Sequence, residues 1–282
     1  MIKNIKEKFP SWVNDTDTNY TLCLSNDIDS LLSCIFIKQF KGYDISHFYT
    51  FNAIGQVRGY KHVPNSLIGV DIALETGKTW DNHVTMLHRN DKANPNSANL
   101  NAINKISMSN YFDKFCGSTL LQILSYYDYD ISNLSEEGKM ILLAIDGTYI
   151  PFFPWKIDFS GTIRNYLKQM EYEELIEVAE RHTQAEFKEL IYKYNLKENI
   201  YINENGILET ELDLAGLSKV FLMPIELPKD GFELLTEFEQ DGVPLTKGNY
   251  NITKPDGLFS IAVTGRDYYK YSTIKKKGEL VC

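Results

Sequence analysis

The chain is 282 residues long with 43% hydrophobic and 24% charged residues, which excludes wholesale disorder and suits one large domain or two modest ones. Its net charge of -9 speaks against a protein that grips long nucleic acid through a broad basic surface, since such binding runs on phosphate neutralisation by Lys and Arg. Cys23, Cys34, Cys116 and Cys282 form no CxxC pair, and the N-terminal stretch carries charges without a following apolar run, so a cytoplasmic protein with reduced thiols, no signal peptide and no membrane span is predicted.

In chain order, Tyr20 to Ser25 is a short apolar run that stops at Asn26-Asp27, and Leu31 to Phe40 follows as a mostly buried helix. Ile45 to Phe51 and Ser66 to Ile72 read as further strands, the second carrying Asp71 near its end. The order strand, helix, strand predicts an α/β fold with a parallel sheet, in which ligands sit beyond the carboxyl ends of the strands. Helical spacing then covers Tyr111 to Tyr127, Glu136 to Ile145 and Thr162 to Met170. Glu171 to Tyr194 has the longest helical period and is taken as a connector. Beyond Asn195 the texture changes to short β-like stretches at Asn199 to Ile202, Val220 to Ile225, Asn249 to Thr253 and Phe259 to Val263. The predicted layout is therefore an α/β domain over 1–170, a connector helix over 171–197 and a smaller C-terminal α/β domain over 198–282.

Acidic residues recur where buried segments end. Asp27 and Asp29 flank one residue in the loop after the first strand, Asp71 ends another strand, Asp81-Asn82-His83 lies ten residues on, and Asp146 closes MILLAID. Taken alone, Asp29 reads best as a helix cap with Ser30. The recurrence changes that balance, because unpaired buried carboxylates are costly and a shared cation explains several at once. Oxygen ligands of this kind suit Mg²⁺ or Mn²⁺.

LSNDIDSLLS, GVDIA, WDNHV and LLAIDGTY resemble, in order, the four motifs of the DHH phosphoesterases, and NPNSANLNAI and KFCGSTLLQIL resemble the stretch after the third. The resemblance spans roughly residues 18 to 150, with the long helix and smaller C-terminal domain agreeing in layout. It implies that Asp27 and Asp29 are metal ligands, that Asp71 and Asp146 can bridge two Mn²⁺ or Mg²⁺ ions, that Asp81 orients the third motif, and that His83 holds a substrate phosphate. Two positions depart from the pattern. Asn82 stands where the family has a ligating histidine, leaving its amide carbonyl as the ligand and one ion weakly held, and Cys23 stands where a histidine often precedes the first motif. The span from Asp71 to Asn82 is also shorter than usual, so a crossover helix is expected to be missing there.

Among basic residues near the motifs, Arg58, Lys61, His62, Lys78, His88 and Arg89, the pair His88-Arg89 is the preferred phosphate clamp, with Arg266 after the strand-like FSIAVT as a further contact. Other signals read as structure: Gly77-Lys78-Thr79 lacks the upstream glycine of a phosphate-binding loop, since Ile72 stands there, and His47 and His182 fall in packed positions. With 18 tyrosines in the chain, Tyr126-Tyr127 and Tyr268-Tyr269 are packing residues before they are stacking platforms. The expectation is metal-assisted hydrolysis of a phosphate ester or diester in a nucleotide, short oligonucleotide or other small phosphorylated molecule; the alternative is a catalytically silent DHH-like binding protein. Nothing in the residues sets the oligomeric state.

Overall fold

A computed structural model describes residues 1–16, 19–154, 158–244, 254–265 and 267–275. Along the chain come α1 (Lys3–Lys6), β1 (Thr21–Leu24), α2 (Ile28–Lys41), β2 (Asp44–Thr50), β3 (Ala53–Val57), β4 (Leu67–Val70), β5 (Lys78–Trp80), β6 (Ser97–Ala98), α3 (Leu100–Ile103) and α4 (Thr119–Tyr126). There follow α5 (Glu136–Ala144), α6 (Ser160–Gln169), α7 (Glu174–Arg181), α8 (Gln184–Lys193), β7 (Ile200–Ile202), β8 (Leu208–Thr210), α9 (Leu214–Phe221), β9 (Phe232–Pro244), β10 (Leu258–Gly265) and β11 (Tyr268–Ile274).

The fold is α/β, built on one nine-stranded sheet in the order β10-β11-β9-β3-β2-β1-β4-β5-β6. The strands from β2 to β6 pair in parallel, whereas β3, β9, β11 and β10 are joined to it and to one another antiparallel. The sheet is thus mixed, wider than the parallel sheet expected from the first half of the chain. β1 and β4 sit in its parallel middle, and their uniformly apolar sequences, with Leu22, Leu24, Ile68 and Val70 all buried, are what two covered faces demand. β4 and β5 run parallel with only residues 71–77 between them and no helix in that connection.

The sheet curls until β10 meets the loops that follow the parallel strands. Ile261 N–H donates to Ala73 O at 3.0 Å and Val263 N–H donates to Val84 O at 2.8 Å, while Glu75 N–H donates to Phe259 O at 3.0 Å. The hairpin of β10 and β11 therefore roofs the carboxyl ends of β1, β4 and β5. Two apolar clusters fix this roof: Val84, Leu87 and Ile106 against Ile261, Val263 and Tyr269, and Cys23, Tyr49, Ile54 and Ile72 against Phe238.

On the helical side, α2 starts with Asp27 as its N-cap, accepting from Ser30 N–H, and ends at Gly42, whose φ of 74° suits the left-handed stop. Its buried stripe of Leu31, Leu32, Phe36 and Ile37 joins the main core with α4, α5 and the N-terminal Phe9 and Trp12. Trp80 at the end of β5 is fully enclosed, its ring 5.4 Å from Tyr126 and 5.7 Å from Phe9.

Several elements differ from the periodicity. The predicted connector is two helices, because Thr183 and Glu186 form a reciprocal capping box that starts α8 while His182 is extended, with φ -108° and ψ 158°. Tyr111 to Tyr127 is interrupted before Ser118, which caps α4 through Leu121 N–H. Val220 to Ile225 is not a strand: Asp213 caps a helix through Gly216 N–H, and Leu217 and Phe221, four apart, are its buried face. The stretch Asn249 to Thr253 lies outside the described residues. β9 was missed because its polar sequence, FELLTEFEQDGVP, is largely exposed on both faces and shows no alternation.

Gly69, inside β4, leaves no room for a methyl group, since a Cβ there would lie 2.9 Å from both Leu74 Cδ1 and Thr79 Oγ1. Thr79 cannot easily yield, as its hydroxyl donates to Ile72 O at 2.7 Å. Gly69→Ala is expected to destabilise the fold by about 1–3 kcal/mol in urea denaturation.

Candidate metal centre

Three neighbouring parallel strands each run straight into acidic residues: β1 into Ser25-Asn26-Asp27, β4 into Asp71, and β5 into Asp81-Asn82-His83. Adjacent strands lie about 4.8 Å apart, so their carboxyl ends crowd these side chains together before any tertiary detail is added. Asp146 arrives from a separate direction, in the turn after α5. Asp71 and Asp146 are both left-handed, with φ of 57° and 54°, conformations that Asp tolerates better than most residues. Such backbone strain concentrates at functional sites.

Two groups result, in each of which one donor atom per residue lies within 4.8 Å of the others: Asp71, Asp81 and His83; and Asp29, Asp71 and Asp146. Asp71 belongs to both. No protein-family model, curated protein or solved structure matches the chain.

The five carboxylates do different work. Asp29, almost fully buried, accepts from Thr119 N–H and Leu120 N–H at 2.8 Å each and so anchors the first turn of α4, whose orphan donors and dipole favour an anion. Asp27, not Asp29, caps α2. Asp81, with no exposed surface, holds His83 Nδ1 at 2.7 Å through Oδ1 and accepts from Asn99 Nδ2 at 2.9 Å through Oδ2. Asp71 Oδ1 accepts from Thr119 Oγ1 at 2.8 Å, which ties it to the same helix end as Asp29. Asn82 faces Asp146 with its amide nitrogen, donating to Asp146 Oδ2 and Gly117 O at 2.7 Å each. The Gly117 carbonyl can only accept, so it sets the amide's orientation, and the expected carbonyl ligand at Asn82 is not turned to its neighbour there.

Two cavities meet at His83. The first is lined by Ser25, Asn26, Asp27, Tyr49, Phe51, Asp71, Ile72, Ala73 and His83, with Ser260, Ala262, Lys270 and Tyr271 of the roof above. The second is lined by Asn82, Val84, Tyr111, Lys114, Cys116, Gly117, Asp146 and Thr264 among others. Asp29 and Asp81 line neither. The residues that reach ligand space are Asp27, Asp71, His83 and Asp146; Asp29 and Asp81 hold them in place from behind.

His88 and Arg89 are not brought to this site. They lie in a turn closed by Asp91, whose Oδ2 accepts from Leu87 N–H and His88 N–H, and neither lines either cavity. Arg266 falls outside the described residues. Arg58 is spent on Asn205 O at 2.6 Å, and Lys78 on Asn65 O at the amino end of β5. His47 is buried edge-on against Tyr60, and burial with His62 nearby holds it down to about 4. His182 is half-buried between Glu136 and Glu186. Asn99, Thr119 and Gln122, whose side chains donate to Asp81 Oδ2, Asp71 Oδ1 and Asp81 O, fall in the stretches NPNSANLNAI and KFCGSTLLQIL, but reading the sequence gave them no role; Lys270 on the cavity wall carried no signal.

The electrostatics record the crowding. Burial, then the Asp146 charge, push Asp27 up to about 6. Burial and the neighbouring carboxylates hold Asp29 and Asp71 well above the usual carboxylate range. Burial opposes charge on His83, yet Asp81, Asp71 and Asp146 outweigh it and lift the imidazole to about 10. Asp27 thus binds its proton more tightly folded than unfolded, where the ordinary value is 3.8. Stability of the metal-free chain should therefore fall as pH rises from about 4 to about 6. His83 adds to the trend, because the stability it contributes is complete below 6.5 and lost as pH rises through its folded value near 10. Asp27→Asn keeps an efficient cap and removes the charge, so in thermal melts recorded in EDTA it is expected to flatten the fall between pH 4 and 6.

Proposed function

We propose that the chain is a divalent-metal-dependent phosphoesterase of the DHH type, with residues 1–170 carrying the metal site, 171–197 connecting and 198–282 serving the substrate. Its substrate on this reading is a nucleotide, short oligonucleotide or other small phosphorylated molecule, and its compartment the cytoplasm. The observation that carries the reading is Asp71, shared between two constellations of ligand type at the carboxyl ends of parallel strands. The donors facing the cavities are carboxylate oxygens, which Mn²⁺ and Mg²⁺ accept, and the thiol of Cys116 is held protonated by burial and so does not compete. Asp29, Asp71 and Asp81 are buried beside half-buried Asp27 and exposed Asp146, a crowding of negative charge that dications balance.

Asp27, Asp71 and Asp146 would hold the ions, with Asp71 belonging to both groups. Bound dications would supply neutralisation of phosphoryl charge and activation of water. Because Asp81 occupies Nδ1 of His83, Nε2 is the atom left to face the cavity, and in the protonated state it donates to a phosphoryl oxygen. Asp29 keeps the α4 terminus, and with it Thr119 and Asp71, in position.

The amide of Asn82 turned toward Asp146 favours a second reading, a DHH-like protein that binds a ligand without hydrolysing it. Metal content separates them. Equilibrium dialysis against Mn²⁺ is expected to give two ions per chain, and Asp71→Asn to lower affinity by about ten- to a hundredfold. Hydrolysis of nucleotides and short oligonucleotides should require Mn²⁺ or Mg²⁺ and fall with Asp71→Asn to a similar degree. Activity that survives Asp71→Asn undiminished refutes the site, and Mn²⁺ uptake without hydrolysis of any phosphorylated probe supports the silent binding protein.

A further inference from the structure

We propose that Lys270 and Phe51 grip a nucleoside phosphate from opposite sides of the first cavity, Lys270 holding the phosphate and Phe51 the base. This deepens the phosphoesterase reading and rests on it for the fate of the phosphate, but not for binding. In β11, Ser272 is buried with its hydroxyl 3.1 Å from Tyr49 Oη, so that face of the hairpin looks down onto the sheet. Lys270 is two residues away and therefore shares the face, and its cross-strand partners are Ala262 on β10 and Gly242 on β9. Small neighbours on both sides leave the lysine room to extend into the cavity it lines together with Asp27, Asp71 and His83. Lys270 makes no ion pair among the described residues, and it brings a positive charge to a cavity that Asp27 and Asp71 also line. A phosphate entering that cavity meets the Lys270 ammonium.

Phe51 supplies the second contact. It stands in the turn after β2 as an exposed ring, 46% accessible, on the wall of the same cavity. Its ring centroid is 5.8 Å from that of Tyr49, which is itself fixed, because its hydroxyl also meets Ser260 Oγ at 3.0 Å. An accessible ring backed by an immobilised one is a stacking surface for a planar base.

Calorimetric titration with three probes, AMP, ribose 5-phosphate and adenosine, tests both contacts in the full chain loaded with Mn²⁺. Lys270→Ala is expected to weaken AMP and ribose 5-phosphate about tenfold and leave adenosine unchanged, with Lys270→Arg restoring most of the loss. Phe51→Ala is expected to weaken AMP and adenosine about tenfold and leave ribose 5-phosphate unchanged. Circular dichroism melts and Mn²⁺ dialysis of each variant should match the unaltered chain. AMP binding that is undiminished in both variants, or absent from the unaltered chain, overturns the grip. Absence of Mn²⁺ uptake by the unaltered chain strikes the phosphoesterase reading instead, and the probe pattern repeated in EDTA then supports the grip by itself.

Discussion

Carboxylates gathered at one edge of a sheet repel one another, and that repulsion organises the surrounding structure. Asp27, Asp29, Asp71, Asp81 and Asp146 converge because three adjacent parallel strands end together and a fourth segment turns in to meet them. Asp146 stays exposed and Asp27 half-buried, but Asp29, Asp71 and Asp81 are buried and need partners for their charge. Asp81 finds His83 and Asn99, Asp29 finds the first turn of α4, and Asp27 finds the first turn of α2. The two helices are thus oriented with their amino ends toward the cluster, and the same N–H groups that need capping supply part of the balance. What they leave uncompensated keeps the titration of Asp27, Asp29 and Asp71 displaced upward.

A division of labour follows from where the donors lie. Asp29 and Asp81 have both oxygens committed to the protein and line no cavity, whereas Asp27, Asp71, His83 and Asp146 face open space on either side of one imidazole. Thr119 couples the two sets, donating its backbone N–H to Asp29 and its hydroxyl to Asp71. A rigid support behind a few accessible donors is the arrangement a metal site needs, since orientation of the ligands and their affinity are set together.

The curl of the sheet supplies the other wall. The parallel half delivers the strand ends and the antiparallel half returns over them, hydrogen-bonded through β10 to the loops after β4 and β5. Residues more than 170 positions apart in sequence thereby face each other: Tyr49 meets Ser260 and Ser272, and the cavity over Asp71 is closed by Ala262, Lys270 and Tyr271.

The sequence by itself determined the local pieces. β1 and β4 were readable because strands covered on both faces are apolar, α2 because Leu31 to Phe40 is a mostly buried run, and the acidic residues because charges at the ends of apolar runs stand out, although the cap of α2 is Asp27 and not Asp29. The broken connector was also written there, in Thr183 and Glu186, but helical periodicity runs across the break and masks it. Only the tertiary structure decided which carboxylates face ligand space and which support them, because that depends on hydrogen bonds from α4 and from Asn99, 18 to 91 residues distant. The placement of β9 and of the roof was likewise tertiary. A long polar strand carries no period of its own, and its position is set by pairing with β3 and β11 and by the burial of Phe232 and Phe238 within it.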